Sequence, residues 1–155
     1  MITAAGVGPL RIGGAVSDIA RRCTVRDTSL ILSEGITEKG RIVNLGSASA
    51  LLLVSDDAEP TIERIIITDS SIRTEDGVGI GKSVGALRAA YGRLCAMRGE
   101  GNLVVMVSSL PGVSFAIAGA VPEAADVERQ PDAIPDNASI IRIWVHSGRS
   151  ACGGS

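Results

Sequence analysis

The chain is poor in the residues on which many active sites and nucleic-acid interfaces depend. Its 155 residues include one histidine, His146, and one each of tryptophan, tyrosine and phenylalanine. The formal net charge is −2 and acids are mixed with bases, so no basic stripe can neutralise phosphates and we expect no nucleic-acid binding. No run of about 18 apolar residues is present, so we expect no membrane-spanning helix. The first residues lack the charged and apolar regions of a signal peptide, which leaves the localisation open.

A pattern of glycines and apolar residues recurs within the chain. Hydrophobic residues make up 45% of it and charged residues 21%, which is typical of a globular protein. Four short blocks of the first half recur in the same order in the second half. The aligned blocks are residues 6–8 with 77–79, 12–19 with 80–87, 23–26 with 95–98, and 62–67 with 140–145. Because the four matches keep one order, they indicate an internal duplication.

Each half is predicted to contain a short helix followed by strands. The spacing of Val16, Ile19 and Cys23 puts them on one helical face and predicts a helix at about 15–23. The same spacing predicts a second helix at about 83–91. Alternating or continuous apolar residues predict strands at about 29–32, 41–45, 50–54 and 62–68 in the first half, and at 94–97, 103–107, 113–118 and 140–146 in the second.

The predicted fold class is α+β, with two tandem repeats at 1–72 and 73–148 and a flexible tail at 149–155. Short connections favour antiparallel pairing, so the strands are expected to form one continuous or two adjoining antiparallel sheets. The helices are expected to pack on one face. Residues 121–139 contain three prolines and many acids, and they are predicted to be a long loop of the second half only.

The glycine-rich run at 76–83 approximates a phosphate-binding loop. That pattern needs a glycine where Asp76 stands. The matching block of the first half has Gly14 and Ala15 where Lys82 and Ser83 stand. Since the glycine and apolar spacing recurs and the lysine does not, the run is predicted to be structural, and we predict no cofactor.

No catalytic or metal-binding residues are predicted. A hydrolytic site needs a base that orients a nucleophile, but His146 lies near the tail and no G-x-S-x-G elbow is present. The adjacent acids of 56–57 and 75–76 fall in predicted loops and are expected to be solvated. The spacing of the three cysteines and the histidine fits no zinc pattern. The protein is therefore predicted not to be an enzyme.

The last strand of each half is the candidate functional surface. One face of each strand is apolar and is expected to meet the core, while the other carries Arg64 and Ile66 in the first half and Arg142, Trp144 and His146 in the second. A tryptophan flanked by arginine and histidine has the composition of a protein-binding hot spot. The open alternative is that Trp144 is half-buried under the 121–139 loop and that the arginines are ordinary solvated groups.

The tandem arrangement resembles the beta-lactamase-inhibitory-protein-like fold and the SmpA/OmlA-type lipoprotein domain. The resemblance rests on the glycine before each helix, Gly13 and Gly81, and on the cysteine after it, Cys23 and Cys95. It implies a concave antiparallel sheet that presents a protein-binding face, helices packed behind it, and an extracytoplasmic, non-enzymatic role. From the residues alone, free thiols and any of three disulfide pairings remain open. In the inhibitory protein these cysteines pair with cysteines in neighbouring strands, for which Cys152 is the substitute here, so Cys95–Cys152 is the candidate disulfide.

The leading hypothesis is a non-catalytic protein-interaction module that presents an open antiparallel sheet face to a partner protein. The alternative is a small-molecule-binding protein or enzyme that uses the cleft between the two repeats, lined by residues 77–81 and by the 121–139 loop. A third hypothesis is a structural subunit of a larger assembly. The identity of the partner and the oligomeric state do not follow from the sequence.

Overall fold

A computed structural model of the chain describes residues 1–31, 35, 37–99, 102–119 and 126–147. Within these residues the protein is α+β with antiparallel sheets, which confirms the predicted class. The small sheet consists of β1 (Ile2–Thr3), β2 (Gly6–Val7) and β3 (Leu10–Arg11). The helices are α1 (Val16–Ala20) and α2 (Val84–Tyr91), with a single 3-10 turn at Pro131–Ala133. The large sheet consists of β4 (Val25–Ile31), β5 (Thr37–Leu45), β6 (Ala48–Val54), β7 (Ile62–Ile67), β8 (Leu94–Gly99), β9 (Asn102–Val107), β10 (Val113–Ala118) and β11 (Ser139–His146).

The large sheet is continuous, with the strand order β4-β5-β6-β7-β11-β10-β9-β8 and antiparallel pairing throughout. Each half of the chain supplies four sequential strands. The two sets meet where β7 pairs with β11, with Ile66 opposite Trp144. The last strands of the two halves therefore lie side by side at the centre of the sheet.

The first-half elements differ in extent from the predicted segments. β4 begins at Val25 and β5 at Thr37, four residues earlier than predicted in each case. The first residues of both strands are largely polar, so apolar spacing does not predict them. They are strand because β4 and β5 pair over seven consecutive residues. Helix α1 has five residues, against the predicted 15–23. It ends early because the chain turns into β4, where the carbonyl of Thr24 already accepts a hydrogen bond from the N–H of Asn44 (3.0 Å). Helix α2 spans Val84–Tyr91, one residue inside the predicted 83–91.

The main core lies between the large sheet and the helices. The fully buried Phe115 of β10 belongs to the same cluster as Val16 of α1 and Leu87 of α2. Part of the predicted 121–139 loop also packs into this core, since Val127 and Ile134 are fully buried. The described residues 126–138 are loop apart from one 3-10 turn, and this part of the segment is anchored in the core. Apolar side chains spaced irregularly among prolines and acids are enough to anchor it.

The two helix entries make matching hydrogen bonds. Each entry contains a glycine with a positive φ, 82° at Gly13 and 89° at Gly81, a backbone region that favours glycine. In both halves the glycine N–H donates to the last strand, the first helical N–H donates to a residue one or two positions before that strand, and the strand donates back to the helix entry. The first-half bonds are Gly13 N–H to Ile62 O, Val16 N–H to Pro60 O and Ile62 N–H to Gly14 O; the second-half bonds are Gly81 N–H to Ile140 O, Val84 N–H to Ala138 O and Ile140 N–H to Lys82 O.

Candidate functional site

The structure brings together the five residues of the candidate surface. Arg64 lies directly opposite His146, and Ile66 lies opposite Trp144, on the paired strands β7 and β11. Arg142 lies two residues before Trp144 on the same face. This face points away from the helices, because the alternate residues of the same strands belong to the main core.

Two of the five side chains are not exposed. Trp144 is 6% exposed and Ile66 is 8% exposed, while Arg64 and His146 are half-buried and Arg142 is exposed. The expectation of an open sheet face is therefore wrong at Trp144 and Ile66. The reason is that apolar side chains of neighbouring strands surround them and form a second cluster. The other buried members of this cluster are Leu53, Val104, Met106 and Ala116.

A signal for this second cluster is present in the sequence. Strands β9 and β10 each carry five consecutive buried residues, at 103–107 and 113–117. Continuous apolar runs are typical of strands that are buried on both faces, whereas a half-solvated strand alternates. Alternation in the last strand of each half separates its two faces but carries no information on the strands beside it, so it does not indicate that the whole face is buried.

One row of side chains crosses seven strands on this face, and we call it the Trp144 row. Successive members are cross-strand partners, except that Ser114 and Met106 each lie one residue beyond the paired Phe115 and Val105. Cross-strand partners lie close enough to interact directly. Six members are Ile42, Leu51, Ile66, Trp144, Met106 and Cys95, and the seventh, Ser114 of β10, lies between Trp144 and Met106. The row is thus apolar except for one hydroxyl at its centre.

That hydroxyl is paired with the single histidine. Ser114 Oγ and His146 Nε2 are 3.0 Å apart, although the residues are 32 positions apart in sequence. The pairing satisfies a buried hydroxyl, as buried polar groups require. Ser114 is a poor nucleophile candidate, because it is buried in β10 between β9 and β11. Backbone N–H groups that could stabilise an oxyanion are used there in hydrogen bonds between the strands. We therefore interpret the pair as structural.

The first N–H groups of α2, which follow the glycine-rich run, have hydrogen-bond acceptors within the chain. The Ser83 hydroxyl caps α2 and accepts a hydrogen bond from the N–H of Ala86 (3.1 Å). The N–H of Val84 donates to the carbonyl of Ala138 (2.8 Å), and the N–H of Gly85 donates to the carbonyl of Asp136 (2.9 Å). The groups that a phosphate would use at a helix N-terminus are therefore engaged within the chain.

The cleft in the described part of the chain lies away from the junction of the two halves. It has a volume of about 520 Å³ and lies between the start of β5 and the β6–β7 connection, where Glu38, Lys39 and Glu63 are among its lining residues. At the junction itself, β7 pairs directly with β11, and residues 77–81 are closed against β11 by the Gly81 hydrogen bond. Part of the lining of the predicted cleft between the repeats lies outside the described residues, so that cleft stays a prediction. The adjacent acids 56–57 are exposed, as expected, and line the observed cleft.

Among the described residues, the pKa values of two titratable groups, Asp69 and Tyr91, are shifted. The hydroxyl and N–H of Ser71, with the N–H of Ser49, lower the pKa of the Asp69 carboxyl, which thereby links the segment after β7 to the start of β6. Burial raises the pKa of Tyr91. A hydrogen bond from Thr74 opposes this shift, while the hydrogen bond and charge of Asp76 add to it.

The cysteines divide into two environments. Cys23 is a half-buried free thiol. Cys95 packs against the second cluster and is disulfide-bonded. Cys152 lies outside the described residues, so its pairing with Cys95 stays a prediction. Across the described ranges, no group of three or more metal-ligating side chains comes together, and no helix has the length and apolar character needed to cross a membrane.

A scan against protein-family models and a search of curated proteins find no match. Among solved structures, the chain is similar to the crystal structure of the uncharacterized protein YfeY from Escherichia coli. The identity is 19% and the TM-score 0.64, over 94% of this chain and 98% of that one. At such low identity the likeness concerns the fold alone. The chain thus shares its α+β antiparallel architecture with a bacterial protein over nearly the full length of both.

Proposed function

We propose that the chain is a non-catalytic protein-interaction module that binds a partner through the sheet face opposite the helices. The observation that carries the proposal is the Trp144 row, an apolar band seven strands wide with the exposed Arg142 beside it. Tryptophan and arginine are the residues most enriched at interface hot spots. The half-buried Leu51 and Cys95 leave apolar side-chain area accessible on the face that holds the buried Trp144 ring, and an apolar partner surface fits that area.

The charges beside the row favour an acidic partner. Arg142 is exposed on the same face as Trp144, and Arg64 and His146 lie opposite each other one step along the strands. A guanidinium group forms two-point hydrogen bonds with a carboxylate, and these strengthen where water is excluded. The partner surface should therefore place a carboxylate beside an apolar side chain.

We also propose that the two halves are tandem repeats, as the sequence alignment predicts. The matched hydrogen bonds at the helix entries support this, as do the bridges Ala15–Thr61 and Ser83–Ser139, which occupy corresponding positions. The likeness to the beta-lactamase-inhibitory-protein-like fold and an extracytoplasmic location remain part of the same proposal. The disulfide at Cys95 supports such a location, since disulfides persist in oxidising compartments.

The proposal is tested by photocrosslinking from the exposed edge of the face. A photoreactive amino acid replaces Arg142 in one variant and, as a matched control, the exposed Arg93 of the α2–β8 connection in another. Both sites are exposed, so both variants should fold. We expect a discrete crosslinked protein adduct in source cells from position 142 and none from 93. Equal adducts from both positions, or none from 142, would remove the support for this face.

The alternative is a small-molecule-binding protein or enzyme, and the cleft at the start of β5 favours it. Its volume of about 520 Å³ is within the range of ligand pockets, and its lining carries both acids and bases. A thermal-shift screen against nucleotides and metabolites separates the two functions. A saturable shift that is lost in Asp57→Asn and kept in Arg142→Ala would favour the cleft over the sheet face.

A further inference from the structure

The two edges of the large sheet are protected differently. At the β8 edge, the N–H of Arg98 donates to the carboxylate of Glu128 (3.2 Å), and the 3-10 turn at Pro131–Ala133 lies beside the strand. At the β4 edge, no hydrogen bond joins the outward backbone groups to any other part of the chain that the structure describes. An uncovered edge strand presents N–H and C=O groups with which another strand can pair.

Four alternate residues of β4 direct their backbone groups outward. The N–H of Asn44 donates to the carbonyl of Thr24 (3.0 Å), so Thr24 and every second residue after it direct their backbone groups toward β5. The residues between them direct theirs away from the sheet. The outward set is Val25, Asp27, Ser29 and Ile31.

The strand lacks the features that commonly prevent pairing at an edge. β4 is seven residues long, contains no proline and pairs with β5 without a bulge. Its charged residues are one base and one acid, Arg26 and Asp27, and the Nε atom of Arg41 lies 3.1 Å from the Asp27 carboxylate. Proteins usually block an exposed edge with proline, a bulge or a row of charges. β4 is therefore open to a further strand.

The far end of β4 also gains from a further strand. β6 pairs with β5 only from Gly40 onward, so residues 29–31 and 37–39 form a two-stranded ribbon beyond the end of β6. Ser29 and the side chains of 37–39 are exposed. A two-stranded ribbon is marginally stable in water, whereas a third strand stabilises it.

The sequence of β4 is complementary to itself in one antiparallel register. When outward residues of one copy pair with outward residues of another, the core faces of both copies lie on one side of the joined sheet. With Thr28 on the twofold axis, all seven residues pair and Asp27 lies opposite Ser29. A twofold axis at Arg26 or at Asp27 would instead place like charges opposite each other, which destabilises a sheet.

We propose that the chain forms a dimer in which the β4 strands of two copies pair antiparallel about a twofold axis at Thr28. The pairing joins two eight-stranded sheets into one. It supplies about eight backbone hydrogen bonds, two for each pair of outward residues. An interface of two edge strands is small, so we expect a Kd of roughly micromolar order. The dimer uses the backbone of β4 and does not depend on the proposed function of the sheet face.

Sedimentation velocity of the full chain, from about 1 to 500 μM, measures this association. We expect the sedimentation coefficient to rise with concentration from the monomer value to the dimer value. Ser29→Pro removes an outward N–H and leaves the ladder with β5 intact. It should raise Kd about ten-fold or more, because the twofold symmetry removes two hydrogen bonds at once. The matched control Ser29→Ala keeps the N–H and should dimerise as the unsubstituted chain does.

A charge exchange at the axis tests the register. Thr28→Lys and Thr28→Glu each place two like charges opposite each other and should be monomeric, whereas an equimolar mixture should recover the dimer. Circular dichroism and urea unfolding show that each variant keeps its fold. A chain that stays monomeric at every concentration would overturn the proposal, as would a dimer that Ser29→Pro and Thr28→Lys leave intact. Folded Thr28 variants that stay monomeric when mixed would overturn it as well.

Discussion

Exchanging the residues that precede the two helices tests whether the glycine-rich run is structural. Ser83 and Ala15 both have extended backbone conformations, with φ/ψ of −84°/161° and −73°/134°. Ser83 caps its helix through the N–H of Ala86, while Ala15 has no side-chain cap. Ser83→Ala removes a cap, and Ala15→Ser offers one to the N–H of Asp18. The two changes should therefore shift stability in opposite directions.

The expected magnitudes follow from the capping geometry. Loss of a serine cap costs about 1 kcal/mol, because the N–H of Ala86 loses its hydrogen-bond acceptor. For a chain of this size, that lowers Tm by roughly 2–4 °C. The gain from Ala15→Ser should be smaller, about 0.5 kcal/mol, since α1 has only five residues and less helix depends on its cap.

Urea unfolding followed by circular dichroism measures both effects, and an unchanged slope with denaturant shows that only stability has changed. The exposed Ser108 in the β9–β10 turn supplies the control, Ser108→Ala, which should be neutral. Each curve is repeated with magnesium nucleotide. The structural interpretation would be wrong if two results came together. Without nucleotide, Ser83→Ala would be as stable as the unsubstituted chain; with nucleotide, only the unsubstituted chain would gain stability, which would make the Ser83 hydroxyl a ligand group.

Three further outcomes are expected. The single tyrosine, Tyr91, should ionise above its ordinary pKa of 10.0 in an ultraviolet titration, and Asp76→Asn should lower that midpoint. Because its folded-state pKa is raised, the phenol's contribution to stability is complete below the unfolded value and is lost as the pH rises through the folded value. Phe115→Ala should cost about 3–5 kcal/mol in urea unfolding, since the ring is fully buried in the main core. Gly6→Ala should prevent the native β2–β3 turn, because its Cβ would lie 1.8 Å from the Leu10 carbonyl oxygen. The control Gly8→Ala meets no neighbouring atom and should lower the free energy of unfolding by only about 1 kcal/mol. An equal loss of stability in both variants would contradict the clash.

The local spacing of residues carries much of the fold. The apolar spacing around Val16 and Val84 put helices at about 15–23 and 83–91, and the structure has them at Val16–Ala20 and Val84–Tyr91. Alternation in the last strands separated the core face from the face that carries Trp144. These features depend on neighbours within a few positions in the chain, so their periodicity is readable without the tertiary structure.

Other features depend on residues that are distant in sequence. The polar first residues of β4 and β5 are strand because each set pairs with the opposite strand, 25–28 with 40–43 and 37–39 with 29–31. Their composition does not indicate this pairing. The Ser114–His146 pair forms because β10 and β11 are neighbours in the sheet.

By itself, the sequence determined the α+β class, the glycine before each helix, and the fact that Trp144 is the single tryptophan. Only the tertiary structure decided that Trp144 is buried. The burial of a side chain on a sheet face depends on which distant strands lie beside it, and no local pattern in one strand contains that information.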